Sequence, residues 1–171
     1  MEGVKIISLA IISCAIYMRP MEPVQSSNLP PLESMVCFSV YSAGLAFNRL
    51  YRRMLSQFGL TYPQFLVLVS LQHRDGQKVS ELGEALFLES NTLTPLLQRL
   101  ETVGLIKRQR DDEDERVVRL TLTTAGARLT QDIGCVPPQV LEATQMHISE
   151  IVALTAKLNL LAGSLREHAK A

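Results

Sequence analysis

The stretch from Val79 to Leu122, VSELGEALFLESNTLTPLLQRLETVGLIKRQRDDEDERVVRLTL, constrains this chain more than any other. Leu82, Leu86 and Leu88 are followed by Leu93, Leu96, Leu97 and Leu100. The second group repeats at i, i+3, i+4 and i+7, the stripe of a helix with one buried face. Its other face carries Ser90, Asn91, Thr94, Pro95 and Gln98, which are short, polar and uncharged. Glu89 or Ser90 can cap the helix start, and Gly104 follows its last turn as a stop. Leu105 and Ile106 open a β-type run, Lys107 to Arg116 are all charged but Gln109, and Val117 to Leu122 form a second β-type run. The order helix, turn, helix, strand, charged loop, strand describes a winged helix-turn-helix.

A bland account of this stretch is two packed amphipathic helices and a solvated hairpin. The uncharged polar helix face combined with the wing points further, to DNA. Side chains at the start of a recognition helix reach base edges in the major groove, where Asn and Gln read adenine and Ser and Thr serve bases or phosphates. The candidate contacts are Ser90, Asn91, Thr92, Thr94, Gln98, Arg99 and Arg108. Arg116 near the wing tip is expected to enter the minor groove, held by Asp114 two residues earlier. Lys and Arg together number 17 and Asp and Glu 17, so there is no global basic field. A local patch of Arg99, Lys107, Arg108, Arg110, Arg116 and Arg119 must serve instead, diluted by Asp111 to Glu115.

The rest of the chain arranges itself around this head. The expected class is mainly α with a small β-wing (α+β): a winged helix-turn-helix domain at 61–122 and a helical dimerisation region at 32–60 and 123–171. Pro30-Pro31 and Gly59 bracket a long helix from Leu32 to Phe58. Thr61 caps a second helix with Pro63 in its first turn, and the run Phe65 to Leu71 marks that helix as central. Asp75-Gly76 breaks the chain before the reading head. Thr123-Thr124 opens a further helix, interrupted near Pro137-Pro138. A last helix, about Ile148 to His168, repeats Ile151, Leu154, Leu158, Leu161 and Leu165. The outer helices are apolar on faces that a small winged domain cannot cover. A homodimer interface accounts for the surplus, and its two-fold symmetry suits two DNA half-sites. A larger core within one chain is the alternative.

Residues 1–31 read as an N-terminal extension outside the fold. Val4 to Met18 is apolar but too short for a typical membrane span. It also lacks a strong basic start and a small-residue cleavage site. No membrane partner is therefore expected. Three cysteines at irregular positions make no disulfide framework and suit a reducing cytoplasm.

Cys37 lies at the start of the first helix, with Tyr41 four residues later on the same face. Tyr51 is nearly in phase, about 320° round, but about 21 Å along the axis of one straight helix. The two can meet only between subunits, in an antiparallel pairing of first helices. Phenolic hydroxyls donating to sulfur favour the thiolate, the species that attacks a peroxide. On spacing alone, a structural cysteine against core tyrosines is the simpler account.

Resemblance adds to this. DEDERVVRLTLTTAG looks like the D-x-R wing and following strand of MarR-family regulators, and LESNTLTPLLQRLETVGLIKR is similar to their recognition helix. CFSVYSAGLAFNRLYRRMLSQFGLTYPQFLVLVSL resembles the organic hydroperoxide-sensing (OhrR-type) branch. That branch places a reactive cysteine near the start of its first helix, with tyrosines that hydrogen-bond it. The likeness spans about residues 35–168. It implies that Cys37 is the redox-sensing thiol and that Tyr41, Tyr51 and Tyr62 support its thiolate. Two-cysteine members carry a resolving cysteine shortly after a Val-Pro-x-Gln segment. Here Val136-Pro137-Pro138-Gln139 is present with no cysteine behind it, and Cys135, just before it, is the one candidate resolving thiol nearby. The departure favours a one-cysteine route, in which sulfenic acid passes to a mixed disulfide with a low-molecular-weight thiol.

The resemblance thus implies a cytoplasmic, homodimeric repressor that binds double-stranded operator DNA and releases it when an organic hydroperoxide oxidises Cys37. A MarR-type repressor answering a small phenolic ligand or another oxidant is the alternative. An enzyme is not expected. His73, His147 and His168 are scattered, no Gly-rich phosphate loop appears, and neither a metal nor a cofactor is implied.

Overall fold

The computed structural model describes residues 29–111 and 113–169. The expected extension, with Cys14, therefore lies outside the described residues except for its last three positions. The chain divides into two compact units, Met1–Tyr41 and Ser42–Ala171.

In the first unit, Leu32–Ser34 make a 3-10 turn, closed where the Ser34 N–H and hydroxyl both donate to the Pro31 carbonyl at 3.0 and 2.8 Å. Met35 is extended (φ −88°, ψ 118°), so helix α1 begins only at Val36 and runs Val36–Leu55. The single helix expected from Leu32 to Phe58 is trimmed at both ends. The proline-led turn satisfies its own groups in front, and behind it Ser56–Phe58 tighten into a 3-10 turn that ends at left-handed Gly59 (φ 66°).

The second unit holds the core. Thr61 caps α2 (Tyr62–His73), and the Gln64 side chain reaches back to accept the Thr61 N–H at 2.8 Å, completing a capping box around Pro63. Phe65, Val67, Leu68 and Leu71 of α2 are buried, as its apolar run requires. A short strand β1 (Gln77–Lys78) follows the Asp75-Gly76 turn; two residues leave no periodicity, and the sequence did not announce it. Then come α3 (Val79–Leu86), α4 (Ser90–Thr102), β2 (Ile106–Arg110) and β3 (Val118–Leu122). Leu82, Leu93, Leu97, Leu100, Ile106 and Leu120 bury the stripe read from the leucine spacing. The strands form an antiparallel sheet in the order β1-β3-β2, with Lys78 and Gln109 flanking Arg119 of the central strand.

One expectation about the wing is corrected. Lys107 to Arg110 belong to β2 rather than to a charged loop, because Lys107, Arg108, Gln109 and Arg110 pair with Thr121, Leu120, Arg119 and Val118. The loop itself is residues 111–117.

After the wing, the Thr123 hydroxyl accepts the Gly126 N–H at 3.0 Å and caps α5 (Thr124–Asp132). Gly126 is required there, because a Cβ at this position would run into the Leu105 backbone carbonyl. A 3-10 turn, Ile133–Cys135, leads into α6 (Val136–Ala143), which tolerates Pro137 and Pro138 because they fall in its first turn. Leu55, Ile133, Val136 and Val140 join the same core, so the reading head is completed by the end of α1 and by the segment after α5. Helix α7 (Ile148–His168) has no buried residue. Ile148, Val152, Leu154, Leu158, Leu160 and Leu165 on it, like Val36, Val40, Leu45 and Phe47 on α1, are exposed.

Candidate functional site

The reading head is built from α3, α4 and the wing. Helix α3 ends at Phe87, whose backbone is left-handed (φ 54°) in a position where glycine is the usual occupant. The Phe87 ring is 67% exposed, and the Arg166 guanidinium of α7 lies over it, 4.0 Å from the ring centroid. Between α3 and the start of α4 runs a groove of about 700 Å³, bordered by Val79, Ser80 and Glu84 on one side and by Glu89, Ser90 and Asn91 on the other.

Ser90, Asn91 and Thr92 occupy the exposed first turn of α4, and Gln98 and Arg99 are exposed further along, with Thr94 half-buried. Glu89 stands at the cap position, but its side chain makes no capping bond. The first-turn N–H groups of α4 carry the positive end of the helix dipole, an arrangement suited to phosphate. Pro95 sits inside α4 and is exposed. Having no N–H, it leaves the Asn91 carbonyl without its usual helical donor.

In the wing, Asp114 relates to Arg116 differently from the expectation. Its carboxylate accepts the Arg116 backbone N–H at 3.0 Å, and its carbonyl accepts the Val117 N–H at 2.8 Å. Asp114 thus shapes the loop beneath Arg116 through the backbone, because a residue two positions away in a tight turn presents its N–H rather than its side chain. Arg116 itself is exposed. Arg108 is half-buried: its backbone N–H donates to Glu101 Oε1 at 3.3 Å, and its guanidinium lies 3.9 Å from Glu101 Oε2.

By sequence alone Asp111 dilutes the basic patch and Arg119 belongs to it. The structure pairs them directly, Arg119 Nε donating to Asp111 Oδ2. The Arg119 hydrogen bond, with those from the Glu113 and Asp114 N–H groups, holds the Asp111 carboxyl below the usual aspartate range. The signal that could have exposed the pair is positional. Arg119 alternates with buried Leu120 on its strand and so takes the exposed face, which narrows its partners to the charges of the wing loop beside it.

The thiol and the tyrosines divide between the two units. In the first, Cys37 is the second residue of α1 and its side chain is exposed. Tyr41, 62% exposed, has its ring 6.5 Å from that of Phe38. In the second, Tyr51 of α1 and Tyr62 of α2 stand with ring centroids 4.3 Å apart, and Phe65 lies 5.7 and 6.2 Å from them. Burial raises both phenol pKa values above 10.0, and for Tyr51 the neighbouring Tyr62 charge adds to the rise. Both are therefore protonated hydrogen-bond donors at neutral pH. Cys135 is exposed, its Sγ 3.4 Å from the Asp132 carbonyl.

A recognition helix with a polar, uncharged first turn beside a three-stranded wing defines a winged-helix DNA-binding protein. The profile of a family described as transcriptional regulator SarA/Rot matches residues 49–133. The chain is 46% identical over 140 residues to the HTH-type transcriptional regulator TtmR of Methylorubrum extorquens, across 82% of this chain and 71% of that one. It is 35% identical over 136 residues to the organic hydroperoxide resistance transcriptional regulator of Bacillus subtilis, across 80% of this chain and 92% of that one. Among solved structures, AbfR of Staphylococcus epidermidis matches with a TM-score of 0.67 at 35% identity, covering 80% of this chain and 94% of that one. The chain belongs to the MarR-type winged-helix family of transcriptional regulators. It is a DNA-binding regulator of transcription.

Proposed function

We propose that this regulator is a cytoplasmic homodimeric repressor that senses organic hydroperoxides through Cys37 and lets go of its operator when Cys37 is modified. The observation that carries the reading is the exposed Cys37 thiol at the start of the helix that also bears Tyr51, with Tyr51 paired to Tyr62 and both phenols kept as donors. Similarity to the Bacillus subtilis organic hydroperoxide resistance regulator supports the choice of oxidant.

The chemistry runs in two steps. The Cys37 sulfur attacks the hydroperoxide, the O–O bond breaks, one oxygen stays on sulfur as sulfenic acid and an alcohol leaves. A low-molecular-weight thiol then displaces that oxygen as water and forms a mixed disulfide. Solved structures of AbfR include reduced and overoxidised forms bound to DNA and a separate form with a disulfide formed. The overoxidised form on DNA supports a modification other than overoxidation as the releasing one.

In the dimer, Tyr51 and Tyr62 of one subunit serve Cys37 of the other, the exposed apolar faces of α1 and α7 pack against the second copy, and the two α4 helices enter successive major grooves. By length and composition alone α7 would also suit a bilayer. Lys157 at mid-helix and a family of DNA-binding regulators favour the second subunit as its cover. The larger Cys37 adduct forces the dimer to repack and changes the separation of the recognition helices.

The test is a DNA-binding series with and without an organic hydroperoxide and a small thiol, on wild type and Cys37→Ser. The serine variant is expected to bind DNA as wild type does and to stay bound after oxidation. Dissociation of oxidised Cys37→Ser would remove Cys37 as the sensor.

A further inference from the structure

We propose that Asp111 and Arg119 form a clasp that aims the wing, and that Arg119 acts as a positioning residue rather than as a phosphate contact. The proposal rests on the reading of the wing as a DNA contact.

Asp111 is the first residue after β2 and its side chain is only 11% exposed. One carboxylate oxygen accepts the N–H groups of Glu113 and Asp114 at 3.0 and 3.3 Å, which folds the first half of the loop. The other accepts Arg119 Nε. The same guanidinium donates to the Gly76 carbonyl at 3.2 Å, and Asp75 beside it accepts the Leu122 N–H at 3.0 Å. The second half of the loop closes through Asp111 N–H to the Val117 carbonyl at 2.9 Å. The turn between α2 and β1, the central strand and both ends of the wing loop are therefore one bonded unit. Arg116 rides on its tip. Arg119 Nε and Nη1 are thus committed to Asp111 and Gly76 at the root of the wing, although the side chain is 44% exposed.

Electrostatics alone gives the opposite expectation, and this makes the proposal decidable. If Arg119 touches phosphate, removing the Asp111 charge should tighten DNA binding, because an anion near the duplex repels it. Removing the Arg119 charge should then weaken binding and lower the salt slope by about one. A clasp predicts that both changes weaken binding, and that the second adds nothing once the first is made.

The probe is a duplex selected from a randomised DNA pool by the reduced wild-type protein. Affinity is measured across a salt titration for Asp111→Asn, Arg119→Gln, the double variant and Arg116→Ala, with melting temperatures as a check on folding. We expect Asp111→Asn and Arg119→Gln each to bind about fivefold more weakly, in line with the coupling of a single partly exposed ion pair. The double variant should match either single one, and the salt slopes should stay near wild type. Arg119→Lys, which keeps the charge but cannot fork, should behave like Arg119→Gln; it decides the matter if a neutral variant melts early. Tighter or unchanged binding by Asp111→Asn, or wild-type binding by Arg119→Lys, would overturn the clasp. Full affinity in Arg116→Ala would overturn the wing contact itself, and the proposal with it.

Discussion

The rings of Tyr51 and Tyr62 stand 4.3 Å apart, tilted by 38°, and each phenol is held in its protonated form by burial. The folded pKa lies above the unfolded value, so the sign of the pH dependence is fixed. Below the ordinary value of 10.0 both states are protonated and stability is flat. Above it the unfolded chain loses its protons first, and stability falls as pH rises. A near-ultraviolet titration should show two phenols ionising late. Tyr62→Phe should make the Tyr51 transition earlier, since the Tyr62 charge adds to burial in delaying it. In Tyr51→Phe and in Tyr62→Phe, reaction of Cys37 with hydroperoxide should be several-fold slower while DNA binding stays near normal. Unchanged oxidation rates in both would leave the pair a packing feature.

At the wing, Arg116→Ala should weaken binding to every duplex and make the salt dependence shallower by about one counterion. Asp114→Ala should produce a smaller loss with an unchanged slope, because its carboxylate holds only the Arg116 backbone N–H. A larger loss in Asp114→Ala than in Arg116→Ala would show that the loop shape matters more than the charge it carries.

The route after sulfenic acid is read from Cys135. It is exposed on the 3-10 turn before α6 and interacts locally with Asp132. Cys135→Ser is expected to remain inducible, with mass spectrometry finding a small-thiol adduct on Cys37. A dominant Cys37–Cys135 crosslink, lost with induction in Cys135→Ser, would make the protein a two-cysteine sensor.

Gly126→Ala should be among the most damaging small changes outside the apolar core. The added methyl meets the Leu105 carbonyl, a backbone atom that cannot turn aside while Thr123 also donates its N–H and hydroxyl to it. Overpacking of this kind costs roughly 1–3 kcal/mol, to be measured as a shift in the urea midpoint with an unchanged slope. A midpoint equal to wild type would mean that α5 slides away without penalty.

The parts of this fold that announce themselves in the sequence are those with a period or a stop. The leucine stripe of α4, the Thr61 and Thr123 caps and Gly104 (φ 73°) with its positive φ all follow from local rules. The parts that do not are made by single long-range bonds. Strand β1 is too short for a pattern, and the pairing of Asp111 with Arg119 spans a loop whose charges look alike on paper. That the charged run begins inside β2 is hidden for a related reason: charge says loop, while pairing to β3 needs only backbone. Tyr51 and Tyr62 could be placed together only by resemblance, because their contact depends on how α1 turns into α2 at Gly59.

Arg166 over Phe87 gives the last helix mechanical advantage. Helix α7 starts at Ile148, so Arg166 stands about 27 Å along its axis at 1.5 Å per residue. A pivot of only about 5° at the near end swings the guanidinium by about 2 Å over that distance, which takes it from 4.0 Å to the limit at which a cation still feels an aromatic face. Phe87 would then lose its cover while its backbone still held an unfavourable left-handed angle, at the joint between α3 and the recognition helix. Leverage, rather than a chain of relayed contacts through the core, is enough to make that joint sensitive to how α7 is seated.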